Sequence, residues 1–146
     1  MRRVSDAEQR VRALVIAYAE RLDAGDLDGV AALFEHAVVH SGRLGDLHGS
    51  AAVRGMYEPV VIYDDGTPRT KHVLGNLQIS VDESGETAES RCNFTVLQAA
   101  PDAPLQPVLA GRYHDRFVRD GDEWRYAERT IIPDLMGDLS LHMGRA

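Results

Sequence analysis

Tyr18-Ala19-Glu20-Arg21-Leu22-Asp23-Ala24-Gly25-Asp26-Leu27-Asp28-Gly29-Val30-Ala31-Ala32-Leu33-Phe34 contains the end of one helix, a break, and a second helix. Upstream of it, Val11, Leu14, Val15, Tyr18 and Leu22 recur at helical spacing. Ser5-Asp6-Ala7-Glu8 reads as a capping box, with Ser5 as the N-cap and Glu8 reaching back from the third position. Gly25 suits the residue just past a helix end, where a left-handed backbone costs glycine nothing. The first helix therefore spans about 18 residues, or roughly 27 Å at 1.5 Å per residue. Asp26 can cap the second helix, whose buried stripe is Leu27, Val30, Leu33 and Phe34.

Working outward, Ala37-Val38-Val39-His40 is short and β-branched, a strand, and Gly42 to Gly49 is turn-rich. Ser50 can cap a third, short helix through Ala51, Val53, Met56 and Tyr57, which Pro59 limits. Asp64 to Pro68 is a loop. The remainder reads as β: Lys71 to Val81, Thr87 to Gln98, Val108 to Arg119 and Trp124 to Ile132. Turns at Glu83–Glu86 and Asp120–Asp122 and an extended loop at Ala99–Pro107 join them. Pro133 ends the last strand, and residues 134–146 form a short helix or a tail. Helices gathered ahead of an antiparallel meander define an α+β fold, read as a single domain over residues 1–146.

Composition narrows the function classes. The 146 residues carry 16 Lys plus Arg against 23 Asp plus Glu, a formal charge of −7, with no basic stripe for nucleic acid or anionic lipid. A hydrophobic fraction of 44% with 27% charged residues of mixed sign suits a globular chain. The single cysteine, Cys92, excludes an intramolecular disulfide and a multi-cysteine metal site. The N-terminal residues, Met1 to Asp6, are charged and lack an apolar leader core, and no run of about 18 apolar residues exists. The expectation is a soluble cytoplasmic domain.

No phosphate-cradling glycine loop, nucleophile elbow or His-Glu-x-x-His motif is present, so chemistry must come from residues gathered in space. Asp23, at the unfavourable negative end of a helix dipole, is either a solvated turn residue or a carboxylate aimed into a cavity. Tyr18, on the apolar stripe, is either a core aromatic or a phenol donor inside a pocket. His72 opens a strand, where a lone histidine is commonly structural. Of the 6 histidines, His40 and His114 are second candidates, while His36, His48 and His142 read as bystanders. Their spacings match no ligand pattern, so no metal is expected. Strand alternation puts Tyr113, Asp115 and Phe117 on one face. A buried Asp115 requires a partner, and Arg91 or Arg129 is available; an ion pair and a catalytic role are both open.

The stretch from Tyr18 to Phe34 resembles the opening of the nuclear transport factor 2-like superfamily, and specifically its SnoaL-like branch. This superfamily includes ketosteroid isomerases, scytalone dehydratase, bile acid 7α-dehydratase and the SnoaL-like polyketide cyclases. His48–Arg54, Arg69–Asn76 and Gly111–Tyr126 agree in the same order. The resemblance implies a conical, strongly bent antiparallel sheet wrapped around the N-terminal helices, a cystatin-like α+β barrel with one deep apolar pocket. It also implies a homodimer. Residue by residue, Asp23 and His72 match the Asp–His pair of the dehydratases, with His72 as acid–base. Tyr18 matches a tyrosine of bile acid 7α-dehydratase and the oxyanion donor of the isomerase, and Tyr57 matches the tyrosine that supports that donor. The isomerase's catalytic aspartate falls at about Ser41, beside His40. The dehydratases' further acid–base group falls within Asn93 to Gln98, where this chain has neither Asp nor His. Tyr57, His40, Asn93, Tyr113, Asp115 and Arg129 are the expected pocket residues.

These residues imply a dehydratase, isomerase or cyclase that needs no cofactor and acts on a hydrophobic cyclic ketone or polyketide-like molecule. The carboxylate would orient the imidazole, the imidazole would move a proton next to a carbonyl, and the tyrosine would hold the enolate oxygen. The other class is a non-catalytic ligand-binding or assembly subunit, since one fold hosts many functions.

Overall fold

In the computed structural model, residues 3–144 are described. Met1 and Arg2, and the last two residues of the 134–146 tail, lie outside them. The helix α1 (Asp6–Asp23) is capped as expected, with Ser5 Oγ accepting from the Glu8 amide at 3.1 Å. Gly25, at φ +79°, turns the chain into α2 (Leu27–Ala32), capped by Asp26. A Cβ on Gly25 would lie 2.2 Å from the Gly66 carbonyl oxygen, so the position requires glycine twice over.

Six strands form one sheet: β1 (Val38–Ser41), β2 (Gly45–His48), β3 (Thr70–Val81), β4 (Thr87–Gln98), β5 (Gln106–Asp120) and β6 (Glu123–Met136), in the order β2-β1-β6-β5-β4-β3. All pairs are antiparallel except β1 with β6, which is parallel. Helix α1 packs on both β3, at the sheet edge, and β6, three strands away. In a flat sheet those strands would stand about 14 Å apart. One helix about 10 Å wide reaches both only because the sheet curls around it.

Three details correct the sequence reading. The turn-rich Gly42–Gly49 contains β2, which pairs with β1 as a hairpin; four residues with a glycine at φ +76° give no strand periodicity to read. Ser50 does not cap the third helix: α3 (Gly49–Met56) starts two residues earlier than such a cap would set it, behind His48, which makes no capping bond. Pro133 does not end β6, which continues to Met136. Past Ile131, β6 has lost β1 as a neighbour, and the register shifts at Gly111 opposite Pro133. A missing N–H is tolerated at such a bulged edge.

Bulges also set which residues face inward. Asn76, at φ +53°, marks a register shift in β3 that puts Leu74 and Leu77, three apart, toward the core. A second shift, at Arg116–Phe117, brings Tyr126 and Arg129, also three apart, to the inner face of β6. The core gathers Val11, Val15, Tyr18 and Leu22 of α1 against Phe94, Val96, Val108, Tyr113, Phe117 and Tyr126. Among the described residues, no helix is long and apolar enough to cross a membrane.

Candidate active site

The open end of the cone holds a cavity of about 430 Å³, within the range of small-molecule sites. Tyr18 and Leu22 enter from α1, Met56 and Tyr57 from α3 and the residue after it, and His72 from β3. Phe94 and Val96 of β4, Leu109 and Tyr113 of β5 and Ile131 of β6 form the far wall. The segment from Leu139 to Gly144, including the single-turn α4 (Ser140–Met143), covers the remaining side.

Asp23 is the last residue of α1, and its carboxylate spans the gap to β3. It accepts from the His72 backbone N–H at 2.8 Å, from Thr70 Oγ1 at 2.9 Å and from His72 Nδ1 at 2.6 Å. The side chains of His72 and Asp23 are 4% and 13% exposed. Burial alone would raise the Asp23 carboxyl. The hydrogen bonds from His72 and Thr70 and the charge of His72 outweigh it and hold the carboxyl below its ordinary value. With Nδ1 taken by Asp23, the tautomer is set and Nε2 is left for the cavity. The unfavourable dipole at the helix end is thus offset by three donors from a neighbouring strand, which no local sequence pattern reveals.

Tyr18 and Tyr57 meet through their hydroxyls at 2.6 Å. One hydroxyl donates to the other, so the second O–H is free to donate elsewhere, strengthened by the first. Burial, and then Tyr18, pushes the Tyr57 phenol well above its ordinary range. Beneath them, Arg129 forms a two-pronged ion pair with Asp115, at 2.8 and 2.9 Å, both side chains fully buried. The guanidinium carbon lies 4.2 Å from the Tyr18 ring centroid and 3.8 Å from that of Tyr113. A desolvated cation between two aromatic faces adds about 2 kcal/mol per good contact. Asp115 and Arg129 therefore support the tyrosines from behind instead of lining the cavity. Of the two arginines available to Asp115, Arg91 is on the exposed face of β4.

Two more expected pocket residues also lie outside the lining. His40 sits on the outer face of the sheet, bonded to Asp46 at 2.7 Å and Glu128 at 3.2 Å, because its neighbour Val39 is the one turned inward. Asn93 is exposed on the outer face of β4, since Cys92 and Phe94 on either side point in. His114 shares that outer face. Conversely, His142, read as a bystander, is 5% exposed and lines the cavity. Leu139, His142 and Met143 at i, i+3 and i+4 make the apolar face of one helical turn, and that was the available signal. Among the described residues no cluster of His, Cys, Asp or Glu is arranged to hold a metal ion.

A curled α+β sheet closed around a helix, with an apolar cavity lined by one member of a buried Asp–His pair, defines the architecture. Residues 3–130 match the SnoaL-like domain, and the chain belongs to that family. No curated protein matches the chain. An NTF2-like protein with a cystatin-like fold from Novosphingobium aromaticivorans is similar at 22% identity and a TM-score of 0.70, over 86% of this chain and 80% of that one. A protein from the same organism described as a candidate scytalone dehydratase is 21% identical, with a TM-score of 0.71, over 89% and 85%. A third from that organism, described as a candidate aromatic ring hydroxylase, is 26% identical, with a TM-score of 0.72, over 97% and 99%. The first two likenesses concern the fold alone.

Proposed function

We propose that this protein is a lyase or isomerase that moves protons on a hydrophobic cyclic ketone or polyketide-like molecule, using His72, Asp23 and Tyr18 and no cofactor. The observation that carries this is the 2.6 Å contact between Asp23 and Nδ1 of His72, whose ring lines an apolar cavity together with Tyr18. In a dehydration, His72 Nε2 takes the proton next to the carbonyl. The C–H electron pair becomes the enolate, whose oxygen receives a hydrogen bond from the Tyr18–Tyr57 pair. The enolate then expels a hydroxyl from the neighbouring carbon. The imidazolium returns its proton to that hydroxyl, and water leaves with the formation of one C=C bond. Asp23 orients the ring and stabilises its charged form.

A suitable probe is 3-hydroxy-1-tetralone, whose loss of water gives fluorescent 1-naphthol. Wild-type protein is expected to accelerate this reaction, and His72→Ala to reduce the rate at least about 100-fold. Asp23→Asn is expected to be impaired as well. Turnover of His72→Ala within a few fold of wild type would remove the assignment.

The alternative, a non-catalytic binding or assembly subunit, is favoured by one observation. The middle strand β4 presents only Phe94 and Val96 to the cavity. Tight binding of the ketone without conversion, or co-purification with a catalytic chain, would select that reading. A homodimer through the outer face of the sheet is part of the proposal, as the default closed assembly, and light scattering would read it as twice the chain mass.

A further inference from the structure

We infer that His142 is a second catalytic residue of the proposed reaction: it hydrogen-bonds the departing hydroxyl, which sits between the His72 and His142 rings. The inference rests on the acid–base reading of His72 given above.

Among the described residues His142 makes no side-chain hydrogen bond, and its Nδ1 is buried without a partner. The residue lines the cavity, so a ligand oxygen there meets an imidazole that has no competing side-chain partner. The side chain is held in place from outside. Its own carbonyl accepts from the Val61 amide at 2.8 Å. The preceding carbonyl, that of Leu141, accepts from Gln98 Nε2 at 2.9 Å and from the Tyr63 hydroxyl. The backbone is thus fixed by three donors while the imidazole is left free toward the cavity. The geometry fits one shared oxygen: the His72 and His142 ring centroids are 6.4 Å apart, at 69°. Two hydrogen bonds of about 2.8 Å to a single oxygen bring two imidazole centroids to within about 6–7 Å.

The two rings differ in surroundings in a way that divides the work. His72 has a carboxylate on Nδ1, whereas His142 has none, and burial followed by the charge of His72 pushes it down to about 4, against a smaller opposing influence of Asp23. His142 therefore stays neutral when His72 takes the proton from carbon, and the proton is not lost to it. A neutral imidazole N–H then stabilises the leaving oxygen by donation, and His72 alone delivers the proton. The C-terminal turn thereby fills the place left empty by the apolar side chains of β4.

The test uses two probes. Exchange of the α-hydrogens of 2-tetralone in D2O, followed by NMR, requires the base and the tyrosine but no leaving group. Dehydration of 3-hydroxy-1-tetralone requires both. His142→Ala is expected to retain exchange within about threefold while losing dehydration about 100-fold, the usual scale for one donor to a developing charge. His142→Gln, which keeps a neutral donor, should recover part of the loss and serves if the alanine variant does not fold. His72→Ala should lose both activities. Dehydration by both His142 variants within threefold of wild type overturns the inference, as does an equal fall in both reactions, which would indicate a packing role. If wild-type protein exchanges no deuterium into 2-tetralone above the buffer rate, the underlying acid–base reading falls, and the inference with it.

Discussion

Protonating His142 should undock the C-terminal turn, and the size of the effect follows from its surroundings. Its ordinary value of 6.5 falls to about 4 in the folded chain. The groups acting on it are His72, 6.4 Å away between centroids, and Asp23 behind that ring. The cavity's other polar lining groups are the Tyr18, Tyr57 and Tyr113 phenols, Ser140 and Arg43. The drop from 6.5 to about 4, at about 1.4 kcal/mol per pH unit, comes to about 3–4 kcal/mol. The sign is fixed by proton counting. Between pH 6.5 and 4 the unfolded chain binds the proton and the folded chain does not, so stability falls as pH falls through that window. Nothing is lost above it, about 2 kcal/mol is lost by pH 5, and the full amount is lost below 4. Urea unfolding followed by the fluorescence of Trp124, at pH 7.5, 6 and 5, on wild type and His142→Gln gives the difference directly. The variant should gain on wild type by about 2 kcal/mol on going to pH 5. Hydrogen exchange of the Val61 amide, which is bonded to the His142 carbonyl, should speed up in wild type over the same range and stay flat in the variant. A stability difference that does not change with pH would refute the argument, because no other change distinguishes the two proteins.

Three further outcomes follow from single contacts. Asp115→Asn leaves the Arg129 guanidinium buried and without its carboxylate, so a loss of about 3–5 kcal/mol is expected in the same unfolding assay. Gly25→Ala forces a β-carbon into a left-handed backbone and against the Gly66 carbonyl oxygen; a loss of at least about 1–2 kcal/mol should accompany a shift of the Asp64–Pro68 loop in NMR spectra. Asn93→Ala and His40→Asn lie on the outer face of the sheet. Both should leave dehydration of 3-hydroxy-1-tetralone within about twofold of wild type, and a tenfold loss from either would mean that the reaction takes place on the outer face of the sheet.

How much the sequence determines depends on the range of the interaction that fixes each feature. The first two helices and the glycine break between them follow from spacing and capping over four or five residues, and the structure reproduces them. Strand alternation places Tyr113, Asp115 and Phe117 on one face, and all three are buried. The phase of alternation fails wherever a bulge intervenes, as at Asn76 and between Tyr126 and Arg129, because one extra residue reverses the face and leaves no local trace. Facing is also why His40 and Asn93 lie outside the cavity: each is next to an inward-facing residue, and a one-residue offset sends a strand side chain to the opposite side.

The pairing of Asp23 with His72 joins residues 49 apart, and only the curl of the sheet around α1 closes that distance. His142 lies still further away along the chain, and its role depends on where β6 ends. Pro133 predicts a stop, yet the strand runs three residues beyond it. That extension carries the last turn back over the cavity, where Val61, Gln98 and the Tyr63 hydroxyl hold its carbonyls. Local periodicity and capping thus specify which helices and strands form and which side chains are available. Which polar groups end up facing one another in a water-poor cavity is set by sheet curvature, bulges and long-range hydrogen bonds, since these are satisfied only when the whole chain has packed.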